Sequence, residues 1–307
     1  MPGVPPQGGI QQGAARLPLA RWFCSTKHIL RGPERPGYVL HGETMQDNDA
    51  GGRTTDGTTR LEELKGILIS PAATLYAAQK IASDQVRAKT KAAFGQLVDA
   101  HLLVSGVLAG VLLRTNGKLT KNGALDQERR VLFAAYVVGM PLCEQAIEEG
   151  RYLQALTLLR QEMETLAQIV TSHAGKRKRG ELANVAVLGK DIARVYGDLS
   201  AAAHASNHHM ASEVLTKVLE GENLPGPSRA TLFYPVENIL LARQAFALHL
   251  ILTMNLIGQV AIDYNKAHPE DGFGSRDQET LNLVVELMKA EGLLEDLPAT
   301  TGNSAGT

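Results

Sequence analysis

Four residues on two neighbouring segments carry the most specific chemistry in this sequence. They are Arg160 and Glu164 within RYLQALTLLRQEMETLAQIV (151–170), and Ser200 and His204 within LANVAVLGKDIARVYGDLSAAAH (182–204). Both segments have the apolar period of a helix with one buried stripe. On the first, Arg160 falls among Leu153, Leu156, Met163 and Ala167, with Glu164 one turn on at the stripe's edge. On the second, Ser200 and His204 sit one turn apart beside Leu182, Ala193 and Tyr196. A cation, a carboxylate, a hydroxyl and an imidazole on inward faces are costly unless they satisfy one another. The short connection between the two helices predicts antiparallel neighbours whose inward faces meet. Brought together, the four residues form a candidate catalytic site for proton transfer, because histidine titrates near neutrality and a carboxylate neighbour holds its tautomer. The same four residues equally make a buried network that fixes helix register.

The elements that must position these residues are helical almost throughout. An apolar-periodic run extends from Leu61 to about Arg114, with Pro71 suited to a first helical turn. TNGKLTKNGALD (115–126) breaks it with two Asn-Gly pairs. A second helix covers roughly Asp126 to Glu149, where Pro141 is expected to bend or divide it. The two site helices follow, then a short helix in SNHHMASEVLTKVLEG, the loop GENLPGPSRA and a brief extended piece at TLFYP. A long helix is predicted over Val236 to Lys266 and a last one over about Gln278 to Leu294. The fold class expected is all-α, a multi-helix bundle with a long central C-terminal helix. Residues 59–296 read as a single helical domain. Residues 1–58 and 297–307 have the Gly, Pro and polar composition of disordered tails. The first tail holds the basic segment RLPLARWFCSTKHILRG, and a start at Met45 rather than Met1 is the simpler reading of it.

Composition excludes several classes. Lys and Arg total 31 against 32 Asp and Glu, so no global field draws nucleic acid or membrane. Cys24 and Cys143 form no C-x-x-C pair, which argues against a zinc ribbon or disulfide scaffold and for a reducing, cytoplasmic setting. Leu102–Leu113 is short for the roughly 30 Å hydrocarbon core. Ala245–Ile262 is nearly long enough, but Glu237, Gln244, Asn255, Gln259 and Lys266 draw one polar stripe along that helix and His249 interrupts another side. A buried central helix, with no membrane partner, is the reading taken. His204 and His208 have helical metal-ligand spacing, yet Ser206-Asn207 between them reads as a helix stop. No Glu-x-x-His occurs, so no metal and no cofactor is implied. His101 reads as a satisfied core histidine and His173 as a helix C-terminal one favoured by the dipole. Lys176, Arg177, Lys178 and Arg179 lie in the loop between the site helices, placed to receive RNA phosphate or another anion. The ordinary alternative is a solvated turn.

Leu159-Arg160 with Glu164, then Tyr196, Leu199-Ser200 and His204, resemble the LR-x-x-x-E and Y-x-x-L-S-x-x-x-H helices of an uncharacterised family of bacterial helical proteins. That family is similar in turn to the broad HEPN-like helical proteins, many of them from phage-defence, toxin or stress systems. The resemblance covers about the central third of the chain. It implies an α-helical domain, dimerisation and metal-independent RNA cleavage. The HEPN ribonuclease pattern places an arginine a few residues before its histidine on one helix. Here the only upstream arginine is Arg194, which the helical period puts on the polar face with Lys190, Asp191 and Asp198. The function expected first is therefore a helical interaction module of bacterial defence or stress, as a homodimer or with an RNA or protein partner. A metal-independent endoribonuclease using Arg160, Glu164 and His204 is one alternative; a small-ligand or metal-binding bundle is the other.

Overall fold

The computed structural model describes residues 57–115, 123–177, 180–203, 208–219 and 228–294, except 269 and 271. The elements run α1 (Gly57–Ala93), α2 (Leu97–Thr115), α3 (Ala124–Glu148), α4 (Tyr152–His173), a 3-10 turn (Val185–Leu188), α5 (Lys190–Ala203), α6 (His208–Leu215), β1 (Thr216–Leu219), β2 (Ser228–Thr231), α7 (Ile239–Ala267) and α8 (Ser275–Ala290). The chain is an all-α bundle. Its one strand pair among the described residues, β1 with β2, is a small antiparallel hairpin in which Thr216 faces Thr231.

The long C-terminal helix is the centre of the bundle. Asn238 caps α7 by accepting the Leu241 N–H at 3.0 Å. From Gln244 to Thr253 every residue of the helix is buried, because α7 packs against α2, α3 and α4 on different sides. Helix α4 buries Tyr152, Ala155, Leu156, Leu159, Met163, Leu166 and Ala167, the i, i+3, i+4 stripe of a helix with one inward face. It also packs on α3 and α5, while α8 packs on α2. By length and composition alone, α2, α3 and α7 could each cross a membrane.

Several boundaries differ from the sequence reading, each for a local reason. Pro71 lies well inside α1 rather than in a first turn. Its missing N–H leaves only the carbonyl of Ile67 without a helical partner, and both residues are exposed to water that can serve it. The run to Arg114 breaks instead at Gly95, whose φ of +55° is open to glycine and strained for other residues. Pro141 does not divide α3, and it too is exposed. Gly150 turns the chain from α3 into α4 at a φ of +72°; a Cβ there would lie 2.7 Å from the Val236 carbonyl oxygen. The second site helix begins at Lys190, not Leu182. Asn184 accepts the Ala186 N–H at 2.9 Å to start the 3-10 turn, and Gly189 at φ +113° separates that turn from α5. Leu182 is accordingly exposed and does not flank Ser200.

Helix α1 is attached by one half only. Its buried side chains are Ser83, Val86 and Thr90, where it meets α3 and α7. Leu61, Leu64, Ile67, Leu68, Ile69, Leu75, Tyr76 and Ile81, by contrast, are 45 to 69 % exposed.

Candidate functional site

The sequence-predicted cluster assembles in part. Arg160 Nε donates to Glu164 Oε1 at 2.9 Å, one turn along α4. The Tyr196 hydroxyl of α5 donates to the same oxygen at 2.7 Å. The guanidinium carbon of Arg160 stands 5.6 Å from the Tyr196 ring centroid, a cation–π distance. Tyr196 is thus the member that closes the inter-helix contact, a role the sequence reading left to His204. Arg160 and Glu164 are only partly buried, so their pairing is worth less than a sealed ion pair. The Ser200 Oγ is buried one turn from Tyr196 and has no hydrogen-bond partner among the described residues. His204 lies outside the described residues.

Of the basic loop, Lys176 is exposed, while Arg177 Nε is tied to Glu128 Oε1 of α3 at 3.0 Å. Lys178 and Arg179 lie outside the described residues, as does the Ser206-Asn207 break. Arg194 is exposed, as its place on the polar face requires.

The deepest chemistry lies elsewhere, where α2, α3, α4 and α7 converge. His249 is fully buried at the centre of α7. Its Nδ1 is 3.0 Å from each Glu162 oxygen, and its Nε2 is 3.3 Å from Glu144 Oε1. His101 Nε2 approaches that same Glu144 oxygen at 2.9 Å, with Ser105 Oγ 3.3 Å from the ring nitrogen. The Tyr136 hydroxyl donates to Glu162 at 3.4 Å and meets Thr253 Oγ1 at 3.5 Å. Burial works against a charge on His249, but the Glu162 carboxylate overcomes it and holds the imidazole well above its ordinary pKa. Burial likewise opposes charge on Glu144, yet hydrogen bonds from His101 and His249 bring its carboxyl down to about 2. Burial pushes the Tyr136 hydroxyl well up, and Cys143, also fully buried here, is pushed up to about 11. The arrangement is a buried histidine between two carboxylates, the three drawn from α7, α4 and α3.

The sequence reading missed Glu162 and Glu144, took His101 as a satisfied core histidine, and noted His249 only as an interruption on one side of the long helix. One signal was available. Glu162 stands three residues after Leu159 and four before Leu166, squarely on the inward stripe of α4.

A second network ties the far end of α7. Asp263 accepts from Arg129 Nε and Nη2, both at 2.9 Å, and meets His173 Nε2 at 3.1 Å. His173 Nδ1 is 2.7 Å from Gln259 Oε1, so this histidine does more than cap α4. Arg129 also binds Asp126 and lies 3.3 Å from Ser172 Oγ. Burial opposes charge on Asp263, but the hydrogen bonds from His173 and Arg129 win and hold its carboxyl at about 2. A carboxyl with a depressed folded pKa contributes stability above its unfolded value near 3.9, and that stability fades as pH falls toward the folded value. Between about pH 5 and pH 2 the wild type is expected to lose on the order of 2 kcal/mol through this group alone. Urea midpoints across that range should therefore fall more steeply for the wild type than for Asp263→Asn. Parallel slopes would remove Asp263 from the account.

No protein-family model, curated protein sequence or solved structure matches this chain.

Proposed function

We propose that this chain is a helical interaction module that works as a self-associated assembly, with α1 as its contact arm. The observation that carries the reading is the apolar seam exposed along α1. Leu61, Leu64, Leu68, Pro71, Leu75 and Ala78, all exposed, recur at alternating intervals of three and four residues, the spacing by which one helix packs along another. Exposed apolar surface of this extent on a soluble chain marks a contact site. A seam of identical residues is complementary to itself in a second copy related by a two-fold axis, which makes that copy the simplest partner.

The Arg160–Glu164–Tyr196 contact joins residues of the two motifs on which the resemblance to the uncharacterised bacterial helical family rests. With it comes the setting of a bacterial cytoplasmic defence or stress system. The endoribonuclease reading is less favoured. Catalysis on a phosphodiester asks for a cation aimed at the phosphate, whereas Arg160 Nε is engaged by its own helix.

Light scattering on the purified full chain is expected to report a dimer or larger assembly at micromolar concentration. Replacing Leu61, Leu68 and Leu75 together by Glu should yield a monomer with unchanged helicity. The protein is expected to leave total RNA intact with or without chelator. A wild type that is monomeric, or that is recovered only with membranes, would overturn the self-association reading.

A further inference from the structure

The convergence of His101, Glu144 and His249 has the composition and geometry of a metal centre, and we propose that it binds one divalent transition-metal ion of the zinc class. Ligand atoms on these three side chains, from α2, α3 and α7, lie within 4.8 Å of one another. Two of the three separations are 2.9 Å (His101 Nε2 to Glu144 Oε1) and 3.3 Å (His249 Nε2 to Glu144 Oε1). Ligands about 2.0–2.1 Å from a tetrahedral ion stand about 3.4 Å from each other. Those two separations need shifts of only a few tenths of an ångström, and the two imidazoles, at most 4.8 Å apart, close on the ion to complete it. Two imidazoles and one carboxylate suit Zn2+ and Co2+ and leave a fourth position for water.

The surroundings fit as well. A ligating imidazole typically passes its other N–H to a carboxylate, which fixes the tautomer and aims the ring. Glu162 occupies that position, its two oxygens each 3.0 Å from His249 Nδ1. It is a positioning residue, held in turn by the Tyr136 hydroxyl. Charge balances too, because a divalent ion with neutral histidines is matched by Glu144 and Glu162, whereas the metal-free cluster with a proton on His249 alone keeps one net negative charge. An entry path exists because the side chains of His101 and Glu144 are 21 % and 22 % exposed, while His249 is sealed. The other candidate ligand set, Cys143, Glu162 and His249, is wholly buried and offers no such path.

The test is a Co2+ titration of the full chain followed by visible absorption, with Zn2+ added in competition. The expected result is one Co2+ per chain with the intense absorption of a four-coordinate site, abolished by one equivalent of Zn2+. His101→Ala and Glu144→Gln, both at the solvent-facing edge, are expected to fold by circular dichroism and to lose at least tenfold in affinity. Glu162→Gln should retain the spectrum while weakening binding by about 10–100-fold, as loss of an orienting carboxylate does. Absence of stoichiometric binding by the wild type would overturn the proposal. So would binding by His101→Ala and Glu144→Gln at wild-type affinity, which would place the ion elsewhere in the chain, for example on the histidines at 204–209.

Discussion

Glu162→Ala is expected to destabilise the protein by about 3–5 kcal/mol, the cost of removing one partner of a buried charge. His249 is fully enclosed, and Glu162 supplies both oxygens at Nδ1. Without that carboxylate the imidazole must either stay charged with Glu144 alone, 3.3 Å from Nε2, or give up its proton and leave Nδ1 unsatisfied. The other members of the network keep partners of their own: Glu144 retains His101, and Tyr136 retains Thr253. The damage should therefore be confined to the pair. Replacing both at once, Glu162→Leu with His249→Leu, is expected to restore most of the lost stability, because removing a buried pair is far cheaper than breaking it. Urea denaturation of Glu162→Leu, His249→Leu and the double variant closes the cycle. If the effects simply add, the two side chains do not depend on each other and the network is not a unit.

Leu252→Ala is expected to cost about 2–5 kcal/mol, through lost transfer energy and the cavity left behind. Leu252 is wholly buried in the stretch of α7 that α2, α3 and α4 surround, so no side chain can relax into the gap without leaving another. Leu240, on the same helix but half exposed near its start, provides the contrast. Its replacement by Ala should stay within about 0.5 kcal/mol of wild type. A near-neutral Leu252→Ala would mean that α7 does not carry the core.

The bundle was legible because helical periodicity is written in every apolar stripe; Leu156, Leu159, Met163 and Leu166 identify the buried face of α4 without any structure. The centrality of α7 was legible from a helix apolar on nearly all sides. Chain breaks were less so. Gly95 and Gly189 act through backbone angles that neighbouring residues do not announce, and Pro71 and Pro141 were over-read because a proline on an exposed helix face is tolerated at a modest cost. The candidate sites divided along the same line. Arg160 and Glu164 pair within one helix, a relation that spacing can give, and Tyr196 joins them from a motif already singled out. The His249 cluster unites residues 101, 144, 162 and 249, and nothing short of the packed bundle brings those positions together. Its only trace was a carboxylate where the α4 stripe called for a hydrocarbon.

The sealed position of Cys143 has a use in the test tube. A thiol enclosed by α3 and its neighbours, and held protonated far above neutral pH, is neither reachable nor reactive while the bundle stays closed. A thiol-specific reagent can modify it only through openings of the core. With Cys24 replaced, the modification rate of this single thiol becomes a clock for those openings. When chemistry is fast it reads how often the bundle opens; when chemistry is slow it reads how much of the population is open.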